Sequence, residues 1–208
     1  MENEIRFYHS LKDYEILKEK LLKISSLNFA GRNYEKTSQF NHPMPKYDFY
    51  SKEIDGRFRV RITKGETSSK CKISWKRRIK NKSNALINQE EEVELSILEN
   101  EYENLTFLLN NVLHLEEVEC YERYRTVFEN EDVEIVLDEY PFGLALEIEA
   151  KNNGKYPETI IDKYVNLLNL DYTKRYPLSW DDKYLELCTQ QGFECYKFVL
   201  FNKPMPKI

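Results

Sequence analysis

The stretch from Val133 to Ala150, VEIVLDEYPFGLALEIEA, alternates so regularly that it reads as a β-hairpin, and it constrains the rest of the chain. Glu134, Val136 and Asp138 share one face of its first strand, and Val133, Ile135 and Leu137 share the other. Tyr140-Pro141-Phe142-Gly143 makes the turn, after which Leu144, Leu146, Ile148 and Ala150 oppose Ala145, Glu147 and Glu149. One side of the hairpin gathers carboxylates and the other gathers aliphatics. Such a division is ordinary for a half-solvated antiparallel strand, so its meaning depends on what the other segments do.

They repeat it. Residues 2–8 set Glu2, Glu4 and Arg6 against Asn3, Ile5 and Phe7. After the Asp55-Gly56 turn signal, Arg57, Arg59 and Arg61 alternate with Phe58, Val60 and Ile62; beyond Lys64-Gly65-Glu66, Lys72, Ser74 and Lys76 alternate with Cys71, Ile73 and Trp75. Glu90, Glu92 and Glu94 form an acidic face largely opposite Val93, Leu95 and Ile97, and Arg123 and Arg125 share a face of a strand over residues 118–128. Residues 33–41 read as a further strand, which brings the expected total to eight, and residues 79–88 read as a polar loop. The first expected helix runs from the S-x-x-D box of Ser10 and Asp13 to Ile24, with Tyr14, Leu17 and Leu21 on one stripe. A second covers Leu98 to Leu113, a third opens at Pro157, and a last runs from Trp180 to Gln191 and stops at Gly192. No element is read in residues 193–208.

Helices with one apolar stripe need an apolar sheet face to cover. If the aliphatic faces pointed into a barrel, those stripes would meet Arg and Glu and bury nothing, so the charged faces point inward. The expected architecture is a single domain over residues 1–208. It is an α+β fold in which a closed eight-stranded antiparallel β-barrel has a charged lumen and carries its helices on the outside. Charges inside such a lumen need partners. Clustered carboxylates suit Mg2+ or Mn2+, clustered guanidiniums suit a polyanion, and a metal-bound triphosphate supplies both.

Composition narrows the field. The 31 Lys and Arg are balanced by 36 Asp and Glu to a net charge of −5, which argues against DNA as a partner. No stretch approaches the roughly 18 apolar residues of a membrane span, and the start, MENEIRF, lacks a secretory pattern. The expectation is a cytoplasmic protein without a membrane partner. Cys71, Cys120, Cys188 and Cys195 show no C-x-x-C spacing and the histidines lie far apart, so zinc is not expected.

In order along the chain, these segments resemble the CYTH domain, the triphosphate tunnel metalloenzyme superfamily of class IV adenylate cyclases, thiamine triphosphatases, inorganic triphosphatases and, more remotely, fungal and viral RNA triphosphatases. Glu2-Asn3-Glu4-Ile5-Arg6 matches the E-x-E-x-K signature with Arg in the Lys place. Phe58-Arg59-Val60-Arg61 matches L-R-I-R, and Ile73-Ser74-Trp75-Lys76 matches L-T-L-K. Glu90, Glu92 and Glu94 correspond to the acidic strand, and Arg123 and Arg125 to the K-x-R pair. Leu137-Asp138 through Phe142-Gly143 to Glu147-Ile148-Glu149 matches the closing L-D-x-x-x-F-G…E-I-E pattern, the most specific of the six. The C-terminal S-Y-x-x-L element of cyclase-like members has only a loose echo in residues 179–185.

The resemblance implies that Glu2, Glu4, Asp138, Glu147 and Glu149, with Glu92 and Glu94 of the acidic strand, hold one or two Mg2+ or Mn2+ ions. It implies that Arg59, Arg61, Lys76, Arg123 and Arg125, joined on the same faces by Arg57 and Lys72, grip a triphosphate. Arg6 and Lys76 take the catalytic positions, while Lys183 reads either as a basic cap on the tunnel or as an ordinary solvated helix lysine. The expected function is a metal-dependent hydrolase of a small triphosphate-containing substrate: inorganic triphosphate, thiamine triphosphate or a nucleoside triphosphate. The alternatives are a class IV adenylate cyclase, which converts ATP to cyclic AMP and pyrophosphate, and a non-catalytic polyphosphate or nucleotide binding module. Oligomeric state is left open, a homodimer included.

Overall fold

The computed structural model describes residues 2–48, 56–66, 69–78, 88–151 and 156–208; of residues 2, 78 and 88–90 it describes the backbone alone. Asp55, of the expected turn, and residues 79–87, of the expected polar loop, lie outside the described residues. Among the described residues, nine strands and four α-helices form an α+β fold. The strands are β1 (Glu2–His9), β2 (Asn28–Asn41), β3 (Gly56–Lys64), β4 (Ser69–Arg78), β5 (Asn88–Ile97), β6 (Glu116–Glu129), β7 (Val133–Tyr140), β8 (Gly143–Ala150) and β9 (Phe198–Val199). The helices are α1 (Tyr14–Leu22), α2 (Tyr102–Phe107), α3 (Pro157–Leu167) and α4 (Trp180–Gln191).

All nine strands join one sheet in the order β2-β3-β4-β5-β1-β8-β7-β6-β9. The eight long strands are antiparallel to their neighbours, and the short β9 runs parallel to β6. At one end of this order β2 is also paired antiparallel with β6, Asn28 lying against Glu129 and Asn41 against Glu116. An irregularity in that ladder falls between Phe29 and Gly31, and Gly31 has φ 121°, a left-handed backbone that suits glycine.

The period of two decides which side each residue faces. Ile135, Leu137, Leu144, Leu146 and Ile148 are buried on the outer side of β7 and β8, where Leu17 and Leu21 of α1 and Ile161, Tyr164 and Val165 of α3 pack against them. That packing is the apolar contact the helical stripes require. A second cluster joins Tyr121, Tyr140 and Phe142 to Tyr184 and Leu187 of α4, and Val199 and Met205 of the tail complete it. A third gathers Phe40, Val60 and Cys71 with Leu109 and Leu115. By contrast Val93 and Leu95 on β5 are 58% and 63% exposed, so the outer face is not covered evenly.

Several element boundaries differ from expectation. β2 begins at Asn28, five residues early, because its partner β6 extends to Glu129 and supplies hydrogen bonds for the extra length. Ser10 accepts from the Lys12 amide at 3.4 Å, and the first turn, Leu11–Asp13, is 3-10, so the helix proper starts only at Tyr14. The single helix expected over Leu98 to Leu113 is a 3-10 turn (Glu99–Glu101), α2, and a π-helical turn (Leu108–Val112). The wider turn shifts the apolar stripe and puts Leu109 into the third cluster, while Phe107 and Leu108 stay exposed. The last helix matches its expected bounds, with Gly192 at φ 69° as its terminator. Among the described residues no helix is long and apolar enough to cross a membrane.

Candidate functional site

The inward faces enclose a cavity of about 290 Å3. From β3 come Arg57, Arg59 and Arg61; from β4, Lys72 and Lys76; from β5, Glu92 and Glu94. Tyr121, Arg123 and Arg125 enter from β6, Glu134 and Tyr140 from β7, Glu147 and Glu149 from β8, and Glu4 and Arg6 from β1. Ser179 and Trp180 close one side. Convergence follows from register: Arg6 lies opposite Glu147 and Glu4 opposite Glu149, so same-face residues meet in rows across neighbouring strands.

Ion pairs organise these groups. Arg6 donates from Nε to Glu147 Oε1 at 2.5 Å and from Nη2 to Glu4 Oε1 at 3.0 Å, bridging the two carboxylates, and its Nη1 donates to the Leu178 carbonyl at 2.8 Å. Arg125 holds Asp138 bidentately, at 2.7 and 2.6 Å, and reaches Glu147 at 3.3 Å. Arg123 donates to Glu35 at 2.8 Å, Asp138 at 2.7 Å and Tyr140 Oη at 3.2 Å. On the opposite wall Arg59 meets Glu92 at 3.1 Å and Lys72 meets Glu94 at 2.5 Å, with Lys76 3.9 Å from Glu92. Arg57 is 3.8 Å from Asp181 of α4.

The electrostatics are uneven. Burial alone would raise the Glu147 carboxyl, but Arg6, then Arg125 and Arg123, outweigh it and bring it down to about 2. Glu35 is likewise depressed, Arg123 and Arg61 overcoming its burial. Arg59 is the guanidinium least well compensated. Burial lowers its pKa, Arg61 and Arg123 add to that, and its buried Nε–H has no hydrogen-bond partner among the described residues. Burial would also raise the Tyr121 phenol, yet Arg123, Arg61 and Arg59, with a smaller influence of the Thr37 hydroxyl, bring it down to about 8. Tyr140 shifts the other way, burial being the main cause.

Most site residues expected from the sequence meet here; Asp138 and Lys183 do not. Asp138 is 0% exposed and does not line the cavity; Arg123 and Arg125 pair with both of its oxygens. Lys183 pairs with Glu186 one turn on, at 2.8 Å, and lies over the Tyr176 ring, away from the lining, which favours the ordinary helix lysine over the cap. The side chain of Glu2 lies outside the described residues. Among the described residues no three Asp, Glu, His or Cys side chains converge closely enough to enclose a metal ion.

Sequence reasoning missed Glu35, Tyr121, Tyr140 and Trp180. Tyr121 carries a usable signal, since it shares the parity of Arg123 and Arg125, whereas Glu35 is set across from Arg123 only by the register of the β2–β6 ladder. Trp180 carries none, because only the packing of α4 brings it within 4.4 Å of the Tyr121 ring and stacks it on Tyr140.

No sequence family and no curated protein matches this chain. Solved structures match closely in fold. The PH1819 protein from Pyrococcus horikoshii OT3 superposes with a TM-score of 0.64 at 24% identity, over 92% of this chain and 99% of that one. HpAC1 from Hippeastrum, named as a candidate adenylyl cyclase with a dominant triphosphatase activity, gives 0.61 at 15% identity over 93% and 97%. A Vibrio parahaemolyticus protein named as a candidate adenylate cyclase gives 0.60 at 14% identity over 86% and 96%.

Proposed function

We propose, from the CYTH or triphosphate tunnel fold that the chain shares with these neighbours, that it hydrolyses a small triphosphate-containing molecule in this cavity with the help of a divalent ion. The observation that carries the proposal is the basic wall. Arg57, Arg59 and Arg61 from one strand face Arg123 and Arg125 from another, and a buried Arg59 N–H lacks an acceptor among the described residues. Guanidinium forks match phosphoryl oxygens, and an unmade hydrogen bond in a buried site is costly until an anion fills it. In this proposal the β2–β6 pairing closes the barrel and makes the cavity a tunnel.

Donor chemistry suits a hard cation. Glu4, Glu147 and Glu149 are oxygen donors on one wall and are the residues that would hold Mg2+ or Mn2+; Asp138 does not fit, being fully buried behind the wall and outside the cavity lining. Mg2+ is commonly bound by one or two carboxylates plus substrate phosphates and water, so a site without a three-carboxylate cage is compatible with it. When bound, the ion would neutralise charge on the phosphoryl oxygens. Arg59, Arg61, Arg123 and Arg125 orient the chain of phosphates and meet the charge that develops as the terminal group leaves. Arg6 fixes Glu4 and Glu147 in place and cannot serve as a proton acceptor near neutral pH.

Size supports a compact substrate over a nucleotide held for cyclisation. About 290 Å3 is at the low end of the roughly 300–1,000 Å3 of small-molecule sites, and the lining is chiefly charged. The triphosphatase activity in the name of HpAC1 points the same way. The test is incubation of the protein with tripolyphosphate, thiamine triphosphate and ATP, each with Mg2+, Mn2+ or EDTA. Orthophosphate is expected, and the double variant Arg59→Ala/Arg61→Ala should lose activity. Cyclic AMP and pyrophosphate as the main products from ATP would establish the cyclase reading instead, and full activity in EDTA would overturn the metal's role.

A further inference from the structure

Tyr121 is a cavity-lining residue that neither the motifs nor the charge pattern assigns. Its ring is held firmly: Trp180 of α4 lies 4.4 Å away between centroids, Tyr140 of β7 lies 6.0 Å away, and the Arg123 guanidinium is 6.0 Å from its centre. Across the β2–β6 ladder it lies opposite Thr37, which is 1% exposed. Thr37 Oγ1 accepts from Arg61 Nε at 3.2 Å. The Thr37 hydroxyl also favours the phenolate form of Tyr121, though less than the guanidiniums do. Arg61, Thr37 and Tyr121 therefore stand side by side, and the tyrosine brings its own O–H proton to the cavity wall.

We propose that the Tyr121 hydroxyl is a direct ligand of the substrate, donating that proton as a hydrogen bond to a phosphoryl oxygen of the bound polyphosphate. The proposal rests on the triphosphate reading of the cavity. Position supports it: the hydroxyl lies among Arg59 and Arg61 of β3 and Arg123 of β6, the groups that would grip the same anion. The ring is locked by packing on Trp180 and Tyr140, so the donor is held in place before the anion arrives.

Ionisation gives the idea a readout. The groups facing Tyr121 are Thr37 of β2, Arg59 and Arg61 of β3, Arg123 of its own strand, Tyr140 of β7 and Trp180 of α4. The three guanidiniums and Thr37 bring the phenol to about 8, whereas Tyr140 is pushed up and stays protonated. An anion that needs the Tyr121 proton binds the neutral phenol, and a phenolate would repel it and compete for the same arginines. Affinity should therefore fall as pH rises through about 8.

The test uses calorimetry with imidotriphosphate, a hydrolysis-resistant probe, in Mg2+ buffer across that range, alongside ultraviolet titration of the tyrosinate. In the wild type, binding should weaken on the alkaline side, and one tyrosine should titrate near pH 8 and shift upward when the probe is bound. Tyr121→Phe should bind roughly tenfold more weakly at neutral pH and lose both the alkaline limb and the early tyrosinate. Thr37→Val, which removes the hydroxyl opposite the phenol but keeps the phenol, should move the limb to higher pH. Ionisation of the probe itself is common to all the proteins and cancels in the comparison. If the wild type fails to bind, the triphosphate reading and this proposal both fall. If the wild type binds, Arg59→Ala/Arg61→Ala does not, and Tyr121→Phe matches the wild type at every pH, only the tyrosine's role is overturned.

Discussion

At the scale of single residues, Glu147 joins the two halves of the acidic and basic network, being held by Arg6 at 2.5 Å and Arg125 at 3.3 Å. Its folded pKa of about 2 lies below the ordinary carboxylate value of 4.5, burial opposing the shift and Arg6, Arg125 and Arg123 producing it. A depressed pKa of this kind contributes stability that is fully present above about pH 4.5 and is lost as pH falls towards 2. Glu35, also depressed, adds to the same acid limb. Replacing Glu147 by Gln leaves the two arginines short of a counter-charge in a buried site, which is expected to cost about 3 kcal/mol near neutral pH. The same variant should flatten the acid limb of a urea midpoint measured against pH. Turnover of tripolyphosphate should fall by roughly 10²-fold even where the variant is folded, if the carboxylate helps to hold the ion. An acid limb identical in wild type and variant would show that the pairing does not contribute as described.

Elements answer to different constraints. The Trp75 ring of β4 lies over Gly56 of β3, so that a Cβ there would stand 1.9 Å from it, with two further ring atoms within 2.6 Å. An indole is rigid and cannot swing its tip away as a lysine can, so Gly56→Ala should displace Trp75 and destabilise the fold by about 1–3 kcal/mol. A denaturation midpoint equal to that of the wild type would mean that the Trp75 ring moves aside there without cost. The same strands show why most of the architecture was legible in the sequence. Alternation with a period of two assigns Arg57, Arg59 and Arg61 to one side and Val60 to the other without knowledge of any partner. What alternation cannot specify is which cation faces which acid, because that depends on register between distant strands. Arg123 meets Glu35 across the β2–β6 ladder and Asp138 from β7, contacts separated by 88 and 15 residues. For this reason Asp138 reads as a metal ligand from its motif but is occupied by arginines in the fold. The tail was opaque for another cause: its residues have no period. Its place is set by contacts such as the Ile208 amide donating to the Phe142 carbonyl at 3.0 Å and Lys207 Nζ to the Pro141 carbonyl at 2.6 Å.

For the whole molecule the controlling quantity is the balance of charge around the cavity. Eight basic and six acidic side chains line it, a surplus of two positive charges inside a chain whose net charge is −5. Glu35 and Asp138, behind the wall and paired with Arg123, remove even that surplus. A triphosphate carries on the order of four negative charges near neutral pH, so binding it alone would leave the interior strongly negative in a medium that screens poorly. The basic groups give directional contacts, but they do not give the net charge. A divalent ion seated against Glu4, Glu147 and Glu149 would supply what is missing, and the two ligands should then bind cooperatively. Coupling of this kind is reciprocal: Mg2+ should tighten imidotriphosphate binding by the same factor by which imidotriphosphate tightens Mg2+ binding, and a coupling of about 2–3 kcal/mol corresponds to roughly 30- to 150-fold. Calorimetric titrations of the probe with and without Mg2+, and of Mg2+ with and without the probe, measure both sides of that cycle. Neutralising Glu149 to Gln should shrink the coupling while leaving the metal-free affinity for the probe unchanged or improved, since it removes an acid from the wall. Equal affinity for the probe in EDTA and in saturating Mg2+ would mean that the arginines suffice alone, and the carboxylates would then need another explanation.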